Sequence, residues 1–222
     1  MANALLLGCT GLVGNEILTN LLLDRTFDKV IVLVREPLPF THPKLEERVI
    51  DFQNPSEFEQ AMEGGEIIFS AVGTTQKKVK GDAAAYRKVD EWIPTKAAEF
   101  GAKWGAKSFL LVSAIGADAQ SKNFYLKLKG EVENKIKQSK IPCIYLFQPS
   151  LLLGNRKEFR IGERFAQWVF PIFRWVTPPK YRGVDAKDLA KAMIHFSKIH
   201  KPGHFTLTYS DFFPPNPLLV KN

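Results

Sequence analysis

With 222 residues, 45% of them hydrophobic, the chain can bury one full core, and its two cysteines, Cys9 and Cys143, stand far apart with no Cys-x-x-Cys spacing, which excludes a disulfide scaffold, a zinc site built on them and a redox dithiol. The net charge of +8 admits an anionic ligand, a membrane surface or nucleic acid; with no zinc-finger spacing, RNP-like aromatic signature or basic low-complexity tail, no nucleic acid is expected. The opening MANALLLGCTG lacks a basic n-region, and its leucine run is too short for a signal peptide or a transmembrane segment, so the expectation is a soluble, cytoplasmic protein.

The first apolar run, residues 4–7, reads as a strand and leads straight into Gly8-Cys-Thr10-Gly11-Leu12-Val13-Gly14, a G-x-x-G-x-x-G loop that opens a helix over 12–23. Glycines in such a loop let the backbone turn tightly and approach a pyrophosphate, whose charge meets the positive end of the helix. The strand before and the helix after are the context that a dinucleotide-binding fingerprint requires. A second strand, 29–35, ends at Arg35, followed by Glu36. An arginine at that strand end can pair with the 2′-phosphate of NADP, whereas an acidic residue there holds the ribose hydroxyls of NAD. Arg35 favours NADPH over NADH, and Glu36 opposes it.

Further strands are expected at 48–51 and 66–71, then a lysine-bearing loop, 76–80, near the rim of any site. A helix over 83–103 and a strand over 108–113 follow. A helix over 122–138 carries Tyr125 and Lys129, four positions apart and therefore on one face. An ammonium beside a phenol eases the phenol's ionisation toward general acid-base work, although the spacing alone also fits a solvated basic helix. The remaining elements are a strand at 143–147, a helix at 186–198 beginning at the Asp185 cap, and a strand at 205–208. Between them, 154–183 holds seven basic residues against two acidic ones, and 165–176 is dense in aromatics, which suits core packing, a substrate lid, a partner surface or a membrane-surface contact. The four histidines, His42, His195, His200 and His204, have no metal-ligand spacing, so no metal is expected.

Short apolar strands alternating with helices indicate a parallel sheet covered on both faces, a doubly wound α/β fold. With no internal repeat or linker, residues 1–222 are expected to form a single NAD(P)-binding Rossmann domain, with 154–185 as a small substrate-side insertion.

With the glycine loop, Arg35, Asp51-Phe52, Ala71-Val72-Gly73-Thr74, Ser113 and Tyr125-x-x-x-Lys129 in this order, the chain resembles the short-chain dehydrogenase/reductase superfamily. More closely it is similar to the atypical branch typified by the Tat-interactive oxidoreductase, through GCTGLVG, VIDF, AVGTTQ, YRKVD, IGAD followed by YLKLKGEVE, and LLLGNR, over about residues 4–160. The resemblance implies that Thr10, Gly11, Leu12, Val13, Arg35, Glu36, Val72, Gly73, Tyr125, Lys129, Leu152 and Arg160 line an NADPH site, together with Gly8, Gly14, Asp51, Phe52 and Thr74. It further implies that Lys129 fixes the nicotinamide ribose, Tyr125 passes a proton to or from a carbonyl oxygen, and Ser113 orients that oxygen.

Two departures stand out. Glu36 replaces a second arginine, and Gln148-Pro149-Ser150 stands where such proteins often read Arg-Pro-Gly. The expected function is an NADPH-dependent oxidoreductase acting on a small-molecule carbonyl. Its rivals are a non-catalytic NADPH sensor working through a protein partner and a nucleotide-sugar epimerase or dehydratase. A homodimer through the helices at 83–103 and 122–138 is compatible with either.

Overall fold

The computed structural model describes residues 2–74, 82–153 and 183–212. In chain order these form β1 (Ala2–Leu7), α1 (Leu12–Leu23), β2 (Phe27–Val34), β3 (Leu45–Val49), α2 (Pro55–Ala61), β4 (Ile67–Ser70), α3 (Ala83–Arg87), a π-helical turn (Lys88–Trp92), α4 (Ile93–Lys103), β5 (Ser108–Val112), α5 (Phe124–Lys137), β6 (Cys143–Phe147), β7 (Leu152–Leu153), β8 (Val184–Asp185), α6 (Ala186–Ser197), β9 (Gly203–Leu207) and α7 (Tyr209–Phe212).

Seven strands make one sheet in the order β3-β2-β1-β4-β5-β6-β9, every neighbouring pair parallel; β7 and β8 pair separately. Strand residues alternate between two apolar layers, which is why these runs read as continuously hydrophobic. Leu6, Val32 and Phe69 pack with Ile17 and Leu21 of α1 and with Leu189 and Met193 of α6. Leu5, Leu7, Ile31 and Ile68 face the other way, onto Phe58 of α2, Ala97 and Phe100 of α4, and Val132 and Ile136 of α5. The doubly wound α/β fold expected from the sequence is the fold observed. The winding reverses between β1 and β4, and the crevice outside the carboxyl ends of strands at such a reversal is where ligands bind in open α/β sheets.

Several elements differ from expectation: β7, β8 and α7 are short and unread in the sequence, and three others differ as follows. The third strand is Leu45–Val49 rather than 48–51. It lies at the sheet edge, so its LEERV sequence needs no apolar run; Glu46 pairs with Lys29 of β2 at 2.7 Å, and Arg48 donates to the Ala61 and Glu63 carbonyls. Helix α2, unread in the sequence, starts where the Asn54 side chain accepts the Glu57 amide and Pro55 enters the first turn. The helix expected over 83–103 is divided by the π-helical turn. Of the expected features, Arg160, the lysine loop at 76–80, the aromatic stretch at 165–176 and nearly all of the 154–185 insertion lie outside the described residues; 183–185 of the latter contain β8.

Candidate cofactor and active site

The chain turns from β1 into α1 through Gly8, at φ +83, a backbone region that L side chains rarely adopt. A Cβ on Gly8 would lie 2.8 Å from the carbonyl carbon and oxygen of Ala71, at the end of β4, and a Cβ on Gly14 would lie 2.0 Å from the Gly8 carbonyl oxygen. The Gly11 amide donates to that same oxygen at 3.0 Å, closing the turn. Gly11 caps α1 with no side-chain hydrogen bond, and no acidic residue occupies the first turn, so the positive end of a twelve-residue helix faces the loop. Thr10 and Gly11 are exposed, Leu12 is half-buried and Val13 is core. The loop therefore fits a pyrophosphate: tight backbone and a positive helix end.

Arg35 and Glu36 directly follow β2, beside the end of β1, and both are exposed. Asp51 and Phe52 follow β3. The Asp51 carboxylate accepts the Gln53 amide at 2.9 Å, while Phe52 packs edge-on against Phe58 and accepts the Trp92 indole N–H through its carbonyl. Beyond β4, Val72 is half-buried, Gly73 exposed and Thr74 buried.

Helix α5 begins because the Asn123 side chain accepts the Tyr125 and Leu126 amides at 3.0 and 3.1 Å. Tyr125 thus stands in the first turn, half-buried, and Lys129 one turn later places Nζ 5.8 Å from the Tyr125 ring centroid. Lys129 is almost wholly buried, and its ammonium lies 3.0 Å from Asp90 Oδ1, an ion pair without the alignment of a full hydrogen bond. Asp90 Oδ2 accepts the Thr74 amide at 2.7 Å.

Ser113 directly follows β5, and its hydroxyl donates to buried Glu133. Gln148 also donates to Glu133, at 2.9 and 3.2 Å, so the Gln148 departure seen in the sequence serves this buried carboxylate. A hydroxyl has one proton to give. The resemblance expects Ser113 to orient a carbonyl oxygen; here its proton is directed to Glu133 instead.

Ser113, Tyr125, Pro149, Ser150 and Leu152 meet around a concavity of about 150 Å³ outside the carboxyl ends of β5 and β6. A larger groove of about 1160 Å³ runs along the outer sides of α4 and α5, lined by Arg87, Trp92, Lys96 and Lys135 among others. None of the expected site residues lines it. Of the expected residues, the structure groups Gly8 to Gly14 with Ala71 and Val72 at the winding reversal, and Ser113, Tyr125 and Leu152 at the smaller concavity. Lys129 stands behind Tyr125, tied to Thr74 through Asp90. Sequence reasoning missed Asp90 and Glu133. Glu133 was readable, since it continues the Tyr125–Lys129 face at a further four residues.

Among the described residues, no group of three or more His, Cys, Asp and Glu side chains could hold a metal ion, and no helix is long and apolar enough to cross a membrane.

Residues 8–168 match the family model described as NAD(P)H-binding. Protein HTATIP2 of Rattus norvegicus is 34% identical over 168 residues, 74% of this chain and 69% of its own length. Protein FMP52, mitochondrial, of Lodderomyces elongisporus is 32% identical over 220 residues, covering 92% and 91%. Among solved structures, MoeE5 in complex with UDP-glucuronic acid and NAD shares the fold at a TM-score of 0.71 and 14% identity, over 94% of this chain and 76% of that one. The UDP-N-acetylglucosamine 4-epimerase from Bacillus cereus does so at 0.67 and 17%, over 94% and 78%. The expectation of a cytoplasmic protein is overturned by the relatives: the FMP52 proteins of Lodderomyces elongisporus, Candida albicans and Aspergillus niger are named mitochondrial, and a missing leader pattern is weak ground for a compartment. On the family match and these relatives, the chain belongs to the NAD(P)H-binding family, as a Rossmann-fold member related to HTATIP2 and FMP52.

Proposed function

We propose that the protein is an NADPH-dependent carbonyl reductase of the short-chain dehydrogenase/reductase type. The observation that carries this reading is Tyr125 at a concavity at the sheet's carboxyl edge, with the buried Lys129 ammonium one helical turn behind its ring. A sensor needs the glycine loop but has no use for that pair.

In this reading the first-turn amides of α1 that follow Gly11 hold the pyrophosphate, Arg35 pairs with the 2′-phosphate, and Asp51, Phe52, Val72, Gly73 and Thr74 border the adenosine and pyrophosphate. Lys129 holds the nicotinamide ribose. When bound, the nicotinamide supplies the hydride that forms the new C–H bond at the carbonyl carbon. As the C=O π bond breaks, Tyr125 donates its phenolic proton to the oxygen, so no free alkoxide accumulates, and the phenol is reprotonated from solvent. Since the Ser113 proton is given to Glu133, the donated proton comes from Tyr125, and Ser113 shapes the site from the end of β5.

The test is a panel of aldehydes and ketones assayed for NADPH consumption with wild-type protein and Tyr125→Phe. General acid catalysis is typically worth about 10²–10⁴-fold. Tyr125→Phe should therefore lose at least about a hundredfold in turnover while keeping its NADPH affinity. Unchanged turnover in the variant refutes the assignment, and wild-type protein that binds NADPH but consumes none across the panel favours the sensor.

A further inference from the structure

The chemistry above takes one proton from the site, through Tyr125. The polar groups around that phenol say what else a substrate must carry. The Ser113 amide is given to the Phe147 carbonyl at 2.7 Å, the Ile115 amide to the Pro149 carbonyl at 2.9 Å, and the Leu126 amide to the Asn123 side chain at 3.1 Å. Pro149 has no N–H to give. The Gln148 amide nitrogen reaches both oxygens of Glu133, at 2.9 and 3.2 Å, so both accept, and the proton of the Ser113–Glu133 contact belongs to Ser113. What the Ser113 hydroxyl keeps for a ligand is lone pairs. The concavity itself, about 150 Å³, has room for a reacting end of only a few heavy atoms, since water takes ~30 Å³ apiece in the liquid. Among the described residues no charged side chain lines it, so that end is neutral.

We infer that the substrate is a hydroxy carbonyl, a ketone or aldehyde with a hydroxyl on the carbon next to the C=O. Its carbonyl oxygen accepts from Tyr125 while its hydroxyl donates to the Ser113 oxygen, which makes Ser113 a specificity-determining residue, held as an acceptor by Glu133. The inference rests on the carbonyl-reductase reading above. Tyr125 and Ser113 line one small concavity, so the two substrate oxygens they meet lie within a few atoms of each other. Hydride reaches the carbonyl carbon and the Tyr125 proton its oxygen, as before, so the product is a vicinal diol and the second hydroxyl is unchanged. Ser113 is buried, so an analogue with a methyl in place of the hydroxyl covers the Ser113 oxygen without pairing it. Sites built to hydrogen-bond a substrate hydroxyl reject such analogues.

The experiment compares small ketones by NADPH consumption with the full chain: hydroxyacetone, methoxyacetone, which keeps the electron-withdrawing oxygen but has no O–H, and butanone, which has a methyl in place of the hydroxyl. Hydroxyacetone should exceed both others in kcat/KM by at least about tenfold. In Ser113→Ala the KM for hydroxyacetone should rise and the preference vanish, whereas Ser113→Thr, which keeps a hydroxyl, should retain it. A merely structural role for Ser113 would lower all the ketones alike and leave the preference as it was. As a readout apart from turnover, ligand-observed NMR with NADP⁺ present should show propane-1,2-diol bound more tightly than butan-2-ol by wild type and equally by Ser113→Ala. Wild-type protein that does not distinguish the ketones overturns the inference, as does a folded Ser113→Ala with the full preference. Should Ser113→Ala fail to fold, the wild-type preferences among ketones and between the two alcohols decide in its place. Wild-type protein that consumes NADPH with no carbonyl compound sinks the reductase reading and this inference together; consumption without regard to the hydroxyl sinks this inference alone.

Discussion

Replacing Gly8 by alanine tests the glycine loop where its geometry is tightest. At φ +83 an L side chain meets its own backbone, a strain of about 1–2 kcal/mol per residue in the left-handed region. The new Cβ would also lie 2.8 Å from Ala71 C and O and 2.9 Å from Val72 N, backbone atoms that cannot rotate aside as a side chain would. To reach ordinary contact at 3.4 Å the ends of β1 and β4 must part by about 0.6 Å. Overpacking of this kind typically adds about 1–3 kcal/mol. The combined loss of about 2–5 kcal/mol is serious for a domain whose whole stability is about 5–15 kcal/mol. Urea unfolding should show it as a lower midpoint with an unchanged slope. Since the parted strands carry the loop, NADPH affinity should also fall at least about tenfold, or about 1.4 kcal/mol. Gly105→Ala is the control: it too has positive φ, +76, but nothing lies within 4 Å of its Cβ. It should lose about 1–2 kcal/mol of stability from strain alone and no affinity. Gly8→Ala with wild-type stability and binding, or Gly105→Ala with the same loss of affinity, would refute the reasoning.

Other outcomes follow from single groups. At the ends of α1 and α6, partial burial raises the Asp24 carboxyl, but hydrogen bonds from Lys198 and Thr26 outweigh it and bring it down to about 2. A depressed carboxyl stabilises the fold fully above its unfolded value of about 3.9 and loses that contribution as pH falls toward the folded value. Asp24→Asn should therefore flatten the acid side of a plot of urea midpoint against pH; an unchanged curve would count against the pair. Burial raises the Cys9 thiol to about 11 and leaves the residue 2% exposed, so a thiol reagent at pH 7.5 should label it only after unfolding. Rapid labelling of the native protein would contradict the packing of the loop. Arg35→Ser should abolish any preference for NADPH over NADH in parallel titrations, and a preference that survives would assign the phosphate to another residue.

What the sequence disclosed was local chemistry. The glycine spacing, the strand before it and the helix after it are contiguous, so the loop could be read without knowing its neighbours. Tyr125 and Lys129 were legible because helical spacing alone puts them on one face. Asp90 was not: Pro94, which has no amide to offer the Asp90 carbonyl four residues earlier, marks a break between α3 and α4, but the wider winding that turns Asp90 toward Lys129 leaves no trace in a 3.6-residue period. The direction of the Ser113 proton depends on Glu133 and Gln148, brought together only by the packing of α5 against β5 and β6. Helix α2 is seven residues long, too short for periodicity to declare it, and β3 is half-exposed at an edge where alternation is weak.

The most direct measurement is the fluorescence titration of the purified protein with NADPH and, in parallel, NADH. The account predicts saturable binding of NADPH, tighter than NADH by at least about tenfold. Absence of binding by either nucleotide would contradict it at its centre, leaving the glycine loop a turn between a strand and a helix.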